Sequence, residues 1–568
     1  MVKGKITTLI AAALVLLTTI LNAEEARPIQ WWPRIRPAVM PTNLKQLAIL
    51  EFAPELKCGG ETTVEVVLPD GIKYLGCPTA WINPRRPNVH SLPFPERTAY
   101  ADNYVQDGNK LSLHFPAGSF EKTPQTFLPM LLDVNTTPGE YNVKVTFKSP
   151  ETEYCEDIEL VILDELDPTP CVKPLIVWDY QGTDEEYLPI FLNGFTTAGF
   201  NRFYGGREEL KGKKSSVDFQ KEFNTEHGVA LSLDAVPEYF RENPLPETVA
   251  ALIDEADCGW MVDNPDSSRI MIKEYLDFAS AGKPFQYVIL DCERGAFKSN
   301  GTRIVNDLTK YNRERFARRY QLEAVPTPED IATKYRDEWI DYSCNLTTEY
   351  ATMFNNIVRE IMPGCRYEVY SGYQYSNGDT RQTYAVDWSE LTDCGMDAAG
   401  AGYFGSRKDI EATAEAIAPV PLIPAEMYME NFNTPGIPMP RLNVGEFAYR
   451  LIETYLWGGC NGMQIWHGGV VTGAGLASIN IFKNFVNATS PIVDGAEAVQ
   501  VEEALKVMPK VQEENVYTFR KDGKLAAIVL NPTAKDAVMR VSMKEGGRPK
   551  TLKMKPYSYE VLEFDPVK

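Results

Sequence analysis

The sequence predicts an α/β fold: a (β/α)8 TIM barrel, preceded by a β-sandwich and followed by a small all-β domain. Three observations carry this expectation. Apolar residues recur at every second position between Leu47 and Leu163. From Leu175 onward, strand-like runs alternate with helical stretches eight times, and after Ala498 the chain returns to short strands. The expected parts are a signal peptide over 1–23, the sandwich over 24–163, a linker over 164–174, the barrel over 175–497 and the C-terminal β-domain over 498–568.

Lys3 and Lys5 precede the apolar run Ile6 to Ile20, and Leu21-Asn22-Ala23 offers a small-residue cleavage site. The run falls short of the ~20 residues a spanning helix needs, and no Cys follows it to accept a lipid. The expectation is a secreted or periplasmic protein, cleaved near Ala23 and not inserted in a membrane afterwards. In the sandwich, Tyr141, Val143, Val145 and Phe147 alternate with Asn142, Lys144 and Thr146 after the turn Thr137-Pro138-Gly139-Glu140. Thr63–Leu68, Leu111–Phe115 and Ile158–Leu163 repeat this pattern, so an antiparallel sandwich is expected. Residues 164–174 are acidic and proline-rich, as in a linker.

Eight barrel strands are predicted: Leu175–Trp178, Asn201–Tyr204, Val229–Leu233, Gln286–Leu290, Arg366–Tyr370, Asp397–Gly402, Leu422–Ala425 and Gly462–Trp466. Thr327 with Asp330 opens a helix carrying Ile331, Tyr335 and Trp339 on one stripe. Asn443 with Glu446 opens another, with Phe447, Leu451 and Tyr455. Eight such units fit the ~200 to over 400 residues that a barrel occupies. After Ala498, strands are expected at Val516–Phe519, Leu525–Leu530, Val538–Ser542 and Tyr559–Phe564.

Composition removes several function classes. With 568 residues, 57 Lys+Arg and 78 Asp+Glu, the net charge is −21, which repels rather than neutralises nucleic-acid phosphates. The four histidines are scattered, so no metal centre and no cofactor is expected. The ten cysteines contain no C-x-x-C; Cys58/Cys77 or Cys155/Cys171 would suit local disulfides, and buried free thiols are the alternative. Gly400 to Gly405 matches G-x-G-x-x-G, but at the sixth strand this reads as a tight rim turn rather than a dinucleotide cradle. Asn431–Leu442, with three prolines, reads as a lid or a surface loop.

A barrel gathers its reactive groups at the C-terminal ends of its strands. There the sequence places Trp178 and Asp179, Asp291 and Glu293, Tyr373, Tyr403, Glu426 with Glu430 shortly after it, and Trp466 with His467. Carboxylates among aromatics suit a carbohydrate substrate, because sugar C–H faces stack on rings while carboxylates accept hydroxyl protons. Cleaving a glycosidic bond needs one protonated and one ionised carboxyl group. Glu293 and Glu426, ending strands four and seven, are the expected catalytic pair, with Glu430 the rival of Glu426. Asp291 would raise the pKa of Glu293 and Arg294 would oppose it.

This order of domains, with carboxylates ending strands four and seven, resembles the (β/α)8 glycoside hydrolases of clan A, nearest the β-galactosidase-like branch. Asn312 to Ala317 and Trp339 to Tyr342 look like the long helical insertion after strand four. The resemblance implies a retaining mechanism with Glu293 as acid/base and Glu426 as nucleophile. Those enzymes usually carry Asn before the strand-four Glu; here the residue is Cys292. A second resemblance, through Asp291-Cys292-Glu293, Tyr403 and Trp466, is to chitinase-type enzymes. It implies attack by the substrate's own acetamido group, with Glu426 dispensable. A barrel that binds glycans without catalysis is the non-enzymatic alternative.

Overall fold

The computed structural model describes residues 28–32, 38–53, 56, 58–76, 103–118, 120, 126–178, 187–205, 226–233, 235–242, 257–280, 285–293, 296–299, 302–305, 308–374, 380–403, 405–427, 443–466, 471–546 and 548–564. The expected signal peptide, the 431–442 lid, Cys77, Asp179, Arg294, Glu430 and His467 lie outside them. The chain divides into two compact units after Asp164.

The first unit is a sandwich of two sheets. One orders Ile29–Trp32, Leu44–Phe52, Thr126–Val134 and Ile72–Gly76; the other orders Ala38–Pro41, Glu153–Leu163, Gly139–Lys148, Thr62–Val67, Lys110–Phe115 and Tyr104–Asp107. Val143, Val145 and Phe147 point inward and share one core with Leu50, Met130 and Leu132 of the facing sheet, as their alternation requires. The expected all-antiparallel pairing fails at one edge, where Leu160–Leu163 runs parallel to Ala38–Pro41. Alternation reports which side chains face in, not which way a neighbouring strand runs.

In the second unit, eight parallel strands close a barrel: β1 (Leu175–Val177), β2 (Arg202–Gly205), β3 (Glu226–Ser232), β4 (Tyr287–Asp291), β5 (Arg366–Ser371), β6 (Ala398–Ala401), β7 (Leu422–Met427) and β8 (Met463–Trp466). Each overlaps its predicted run. Ile176, Tyr287, Ile289, Tyr370, Ala398, Ile423 and Ala425 fill the interior. The alternate positions Val288, Leu290, Tyr367, Val369, Ala399 and Ala401 face out into the core shared with the helices. Both faces are therefore apolar, as in parallel sheets generally. Near the N-terminal end, buried Arg202 pairs with Glu368 at 2.8 Å and Glu226 at 2.5 Å.

Inward glycines make room for large inward side chains. A Cβ at position 400 would lie 2.4 Å from Gln464 Nε2 and 2.9 Å from Tyr370 Cδ2. The Gly400-x-Gly402 pair is thus a packing requirement of the barrel interior, which explains the fingerprint-like motif.

The first predicted helix is two. α1 (Pro328–Thr333) starts at the Thr327/Asp330 capping box, and α2 (Arg336–Ile361) starts afresh after Tyr335. Ile331 and Trp339 are both buried, but from different helices. α3 (Arg407–Ile417) and α4 (Val444–Trp457) also begin at capping boxes, and α4 buries Phe447, Leu451 and Tyr455 as expected. The last helix of the barrel is α5 (Gly473–Val493).

The 165–174 stretch is irregular yet firmly held by α5. Asn480 Nδ2 and Lys483 Nζ donate to the Asp167 carbonyl at 2.8 and 2.7 Å, and Asn487 Nδ2 donates to the Pro170 carbonyl at 3.0 Å. Lys483 is 0% exposed. Its stem passes over Gly199, where a Cβ would come within 2.6 Å.

The C-terminal part has two sheets. One orders Glu497–Val499, Val516–Lys521, Lys524–Leu530 and Tyr559–Phe564; the other orders Leu505–Met508, Ala537–Met543 and Lys550–Met554. Three of these strands, 497–499, 505–508 and 550–554, escape the sequence reading because they are short and rich in charge. Trp457 Nε1 of α4 donates to Tyr517 Oη at 2.8 Å, tying the barrel to these sheets. Cys155 and Cys171 are both free thiols, so the pairing considered for them is not made.

Candidate active site

Side-chain parity decides what reaches the barrel mouth. On β4, Tyr287 and Ile289 face inward, so Asp291 follows on the same face. Glu293 comes two residues later, just past the strand. The Asp291 carboxylate accepts from the Glu293 backbone N–H at 2.9 Å, which fixes the local turn. The Glu293 side chain is reachable by solvent, yet protein atoms crowd it. That desolvation, reinforced by the negative charge of Asp291, pushes its pKa up to about 8. The like-charge effect expected from Asp291 is therefore present.

Around these carboxylates lies a chain of rings. Trp178 sits 4.7 Å from Tyr370, Tyr370 5.9 Å from Tyr403, and Tyr403 5.5 Å from Trp466, centroid to centroid. Trp178, Tyr403 and Trp466 are thus brought together as the sequence suggested. Gln464 orients the first of them: its Oε1 accepts from Trp178 Nε1 at 2.7 Å, while its Nε2 donates to the Ile423 carbonyl at 3.2 Å. Among the described residues no cluster of three or more His, Cys, Asp or Glu suits a metal ion.

No protein-family profile matches the chain, and no curated protein matches it. Similar solved structures exist. A Bacteroides fragilis protein carried as a candidate alpha-galactosidase is 11% identical with a TM-score of 0.37, over 96% of this chain and all of that one. A family 39 glycoside hydrolase from Bacteroides cellulosilyticus is 10% identical with a TM-score of 0.37, over 94% and 99%. A beta-galactosidase from Marinomonas ef1 is 7% identical with a TM-score of 0.40, over 56% and 60%. At such identity and overlap the site must be judged on its own atoms.

Judged so, Glu426 leaves the mouth. Ile423 and Ala425 of β7 face the barrel interior, so Glu426 faces outward. Its side chain is 0% exposed; one carboxylate oxygen accepts from Arg450 Nε at 3.1 Å and the other from Thr454 Oγ1 at 2.9 Å, both on α4. Burial raises its pKa and the Arg450 guanidinium opposes that. The expected Glu293/Glu426 pair is not formed: the two carboxylates lie on opposite sides of the barrel wall. Tyr373 is corrected likewise. It is fully buried on the outer face of the sheet, its hydroxyl donating to the Ala425 carbonyl at 3.1 Å, so it cannot meet a sugar. Asp179, Glu430 and His467 are outside the described residues.

Two residues of the mouth were missed. Tyr370, which neighbours Asp291 in the β4–β5 register, is the inward ring of β5 in place of Tyr373. Gln464 is its counterpart on β8. The usable signal was the glycine pair at 400 and 402, since a close-packed interior demands large neighbours opposite small ones.

Proposed function

We propose that this chain is an exported glycoside hydrolase in which Glu293 is the general acid and Asp291 its charged partner. One observation carries the reading: Asp291 ends β4 on its inner face and Glu293 follows two residues later, just past the strand, with its pKa pushed up to about 8. At neutral pH such a Glu293 holds its proton and can deliver it to the leaving glycosidic oxygen, as bond cleavage requires. The Trp178–Tyr370–Tyr403–Trp466 chain supplies apolar faces against which a sugar ring stacks.

With Glu426 sealed behind the wall, the substrate-assisted route fits better than a Glu293/Glu426 mechanism. The carbonyl oxygen of a 2-acetamido group attacks the anomeric carbon as the glycosidic bond breaks and the Glu293 proton passes to the departing oxygen. Asp291, acceptor-only when ionised, holds the acetamido N–H. Water, deprotonated by Glu293, then opens the cyclic intermediate.

Release of aryl alcohol from paired aryl glycosides, with and without the 2-acetamido group, tests this. Turnover confined to the acetamido series supports the route. Equal turnover of both series requires a protein nucleophile, for which Glu430 is the candidate. No turnover of either leaves a glycan-binding barrel. Export by residues 1–23 belongs to the same reading, and N-terminal sequencing of the mature protein should begin near Glu24.

A further inference from the structure

Charge is spread unevenly along this chain. Residues 498–568 carry 13 Lys+Arg against 10 Asp+Glu, a net +3, in a chain whose total is −21, so the remainder carries −24. Part of that basic excess is gathered on one surface. The three-stranded C-terminal sheet, Leu505–Met508, Ala537–Met543 and Lys550–Met554, contains no Asp or Glu. Its inner face, with Val507, Met539, Val541 and Met554, packs into the core shared with the other sheet.

Alternation leaves Lys506, Arg540 and Lys553 on the outer face, all three exposed. The register sets them in a row: Lys506 stands opposite Ser542, Arg540 opposite Met508 and Thr551, and Lys553 opposite Val538. Each cation is therefore one strand across and two residues along from the next, a diagonal step of about 7–8 Å. Among the described residues none of these three side chains has a hydrogen-bond or ion-pair partner. Lys550, on the inner parity of its strand, is committed instead: its Nζ donates to the Glu563 carbonyl at 2.9 Å and lies over the Phe564 ring. Beside the row, Met508 and Val538 are 62% and 59% exposed. Cations that no carboxylate neutralises, bordered by bared apolar side chains, complement a linear polyanion with apolar faces of its own.

We propose that this face binds an anionic polysaccharide, a sugar chain bearing acidic groups along its length. Those groups pair with Lys506, Arg540 and Lys553, the Arg540 fork being suited to two acceptor oxygens at once. The C–H faces of the sugar rings pack on Met508 and Val538. The charge balance favours a strand over an anionic lipid surface. A planar surface extends past the row and is repelled by a net-negative protein, whereas a single strand touches the row alone. Salt screens the remaining charges beyond about 8–10 Å.

The test is calorimetric titration of the full chain with polygalacturonate oligomers, using the fully methyl-esterified chain as the uncharged control. The expected result is saturable binding of the charged chain alone. Its affinity should fall about fifteenfold between about 50 and about 200 mM salt, as three ion contacts with a single-stranded polyanion require. Arg540→Gln should weaken binding several-fold. The triple variant Lys506→Gln/Arg540→Gln/Lys553→Gln should weaken it at least about thirtyfold and flatten the salt dependence. Met508→Ser/Val538→Ser should weaken it several-fold with the salt slope unchanged. Lys310→Gln, which removes an exposed cation from a barrel helix, should leave it unaltered. If the triple variant fails to fold, Arg540→Gln and the salt series decide. Equal affinity for the esterified chain, no saturable binding, or full binding by the triple variant would overturn the proposal. So would a preference for phosphatidylglycerol vesicles or a DNA duplex over polygalacturonate. The readout is binding alone, so the glycosidase reading stands or falls separately.

Discussion

The ends of β4 and β7 look alike in sequence and differ in space. Each carries a carboxylate at the C-terminal end of a barrel strand, where reactive groups gather. Glu293 follows the inward residues Ile289 and Asp291, whereas Glu426 follows the inward Ala425 by one position and faces α4 instead. A single residue of parity separates a group in the mouth from one locked behind it. Strand-end position is therefore only half of the rule; the other half is which face the residue occupies.

Substitution at the two ends gives the sharpest contrast. Glu293→Gln should lower kcat by about 100- to 10,000-fold, the usual worth of a general acid, with sugar affinity retained. Comparable turnover in Glu293→Gln and wild type would remove Glu293 from the chemistry. Gly400→Ala is the next largest effect. Its Cβ collides with Gln464 and Tyr370, so unfolding by denaturant should show a loss of about 1–3 kcal/mol, with Trp178 losing its orientation.

A pH profile probes the β4 end alone. Because Glu293 acts while protonated, kcat/KM should fall as pH rises past about 8. Asp291→Asn removes the like charge that disfavours ionisation, so this alkaline limb should move to lower pH. A limb that stays put or moves upward would show that Asp291 does not act on Glu293. The smallest effect on turnover belongs to the β7 end. Glu426→Gln should leave kcat within about twofold while costing about 1–2 kcal/mol of stability, less than a fully buried pair because Arg450 is 31% exposed. A thousandfold loss of turnover there would restore Glu426 to the mechanism.

Most of the fold was legible because barrel strands announce themselves as short apolar runs between capped helices. All eight overlap their predicted spans, and the Asn443/Glu446 capping box opens α4 as expected. The site was legible only in part. Trp178, Tyr403, Trp466, Asp291 and Glu293 gather at one end, but Tyr373 and Glu426 do not. In a half-solvated antiparallel strand, as in the sandwich, polar alternation reveals the inner face. In β5 and β7 both faces are buried, so Val369 and Tyr370, or Ala425 and Glu426, read alike. Only an inward landmark, such as the close approach of Gly400 to Tyr370 and Gln464, sets the parity.

The clasp between residues 167–170 and α5 has a practical consequence for anyone wishing to isolate the second unit. Cutting the chain at the first residue of β1 would strip away the carbonyls that receive Lys483 and Asn487, leaving the buried Lys483 ammonium without the Asp167 oxygens it contacts. A polypeptide that starts at Glu165 keeps those acceptors. The ten residues ahead of the barrel thus serve as its doorstop, and a workable excision leaves them attached.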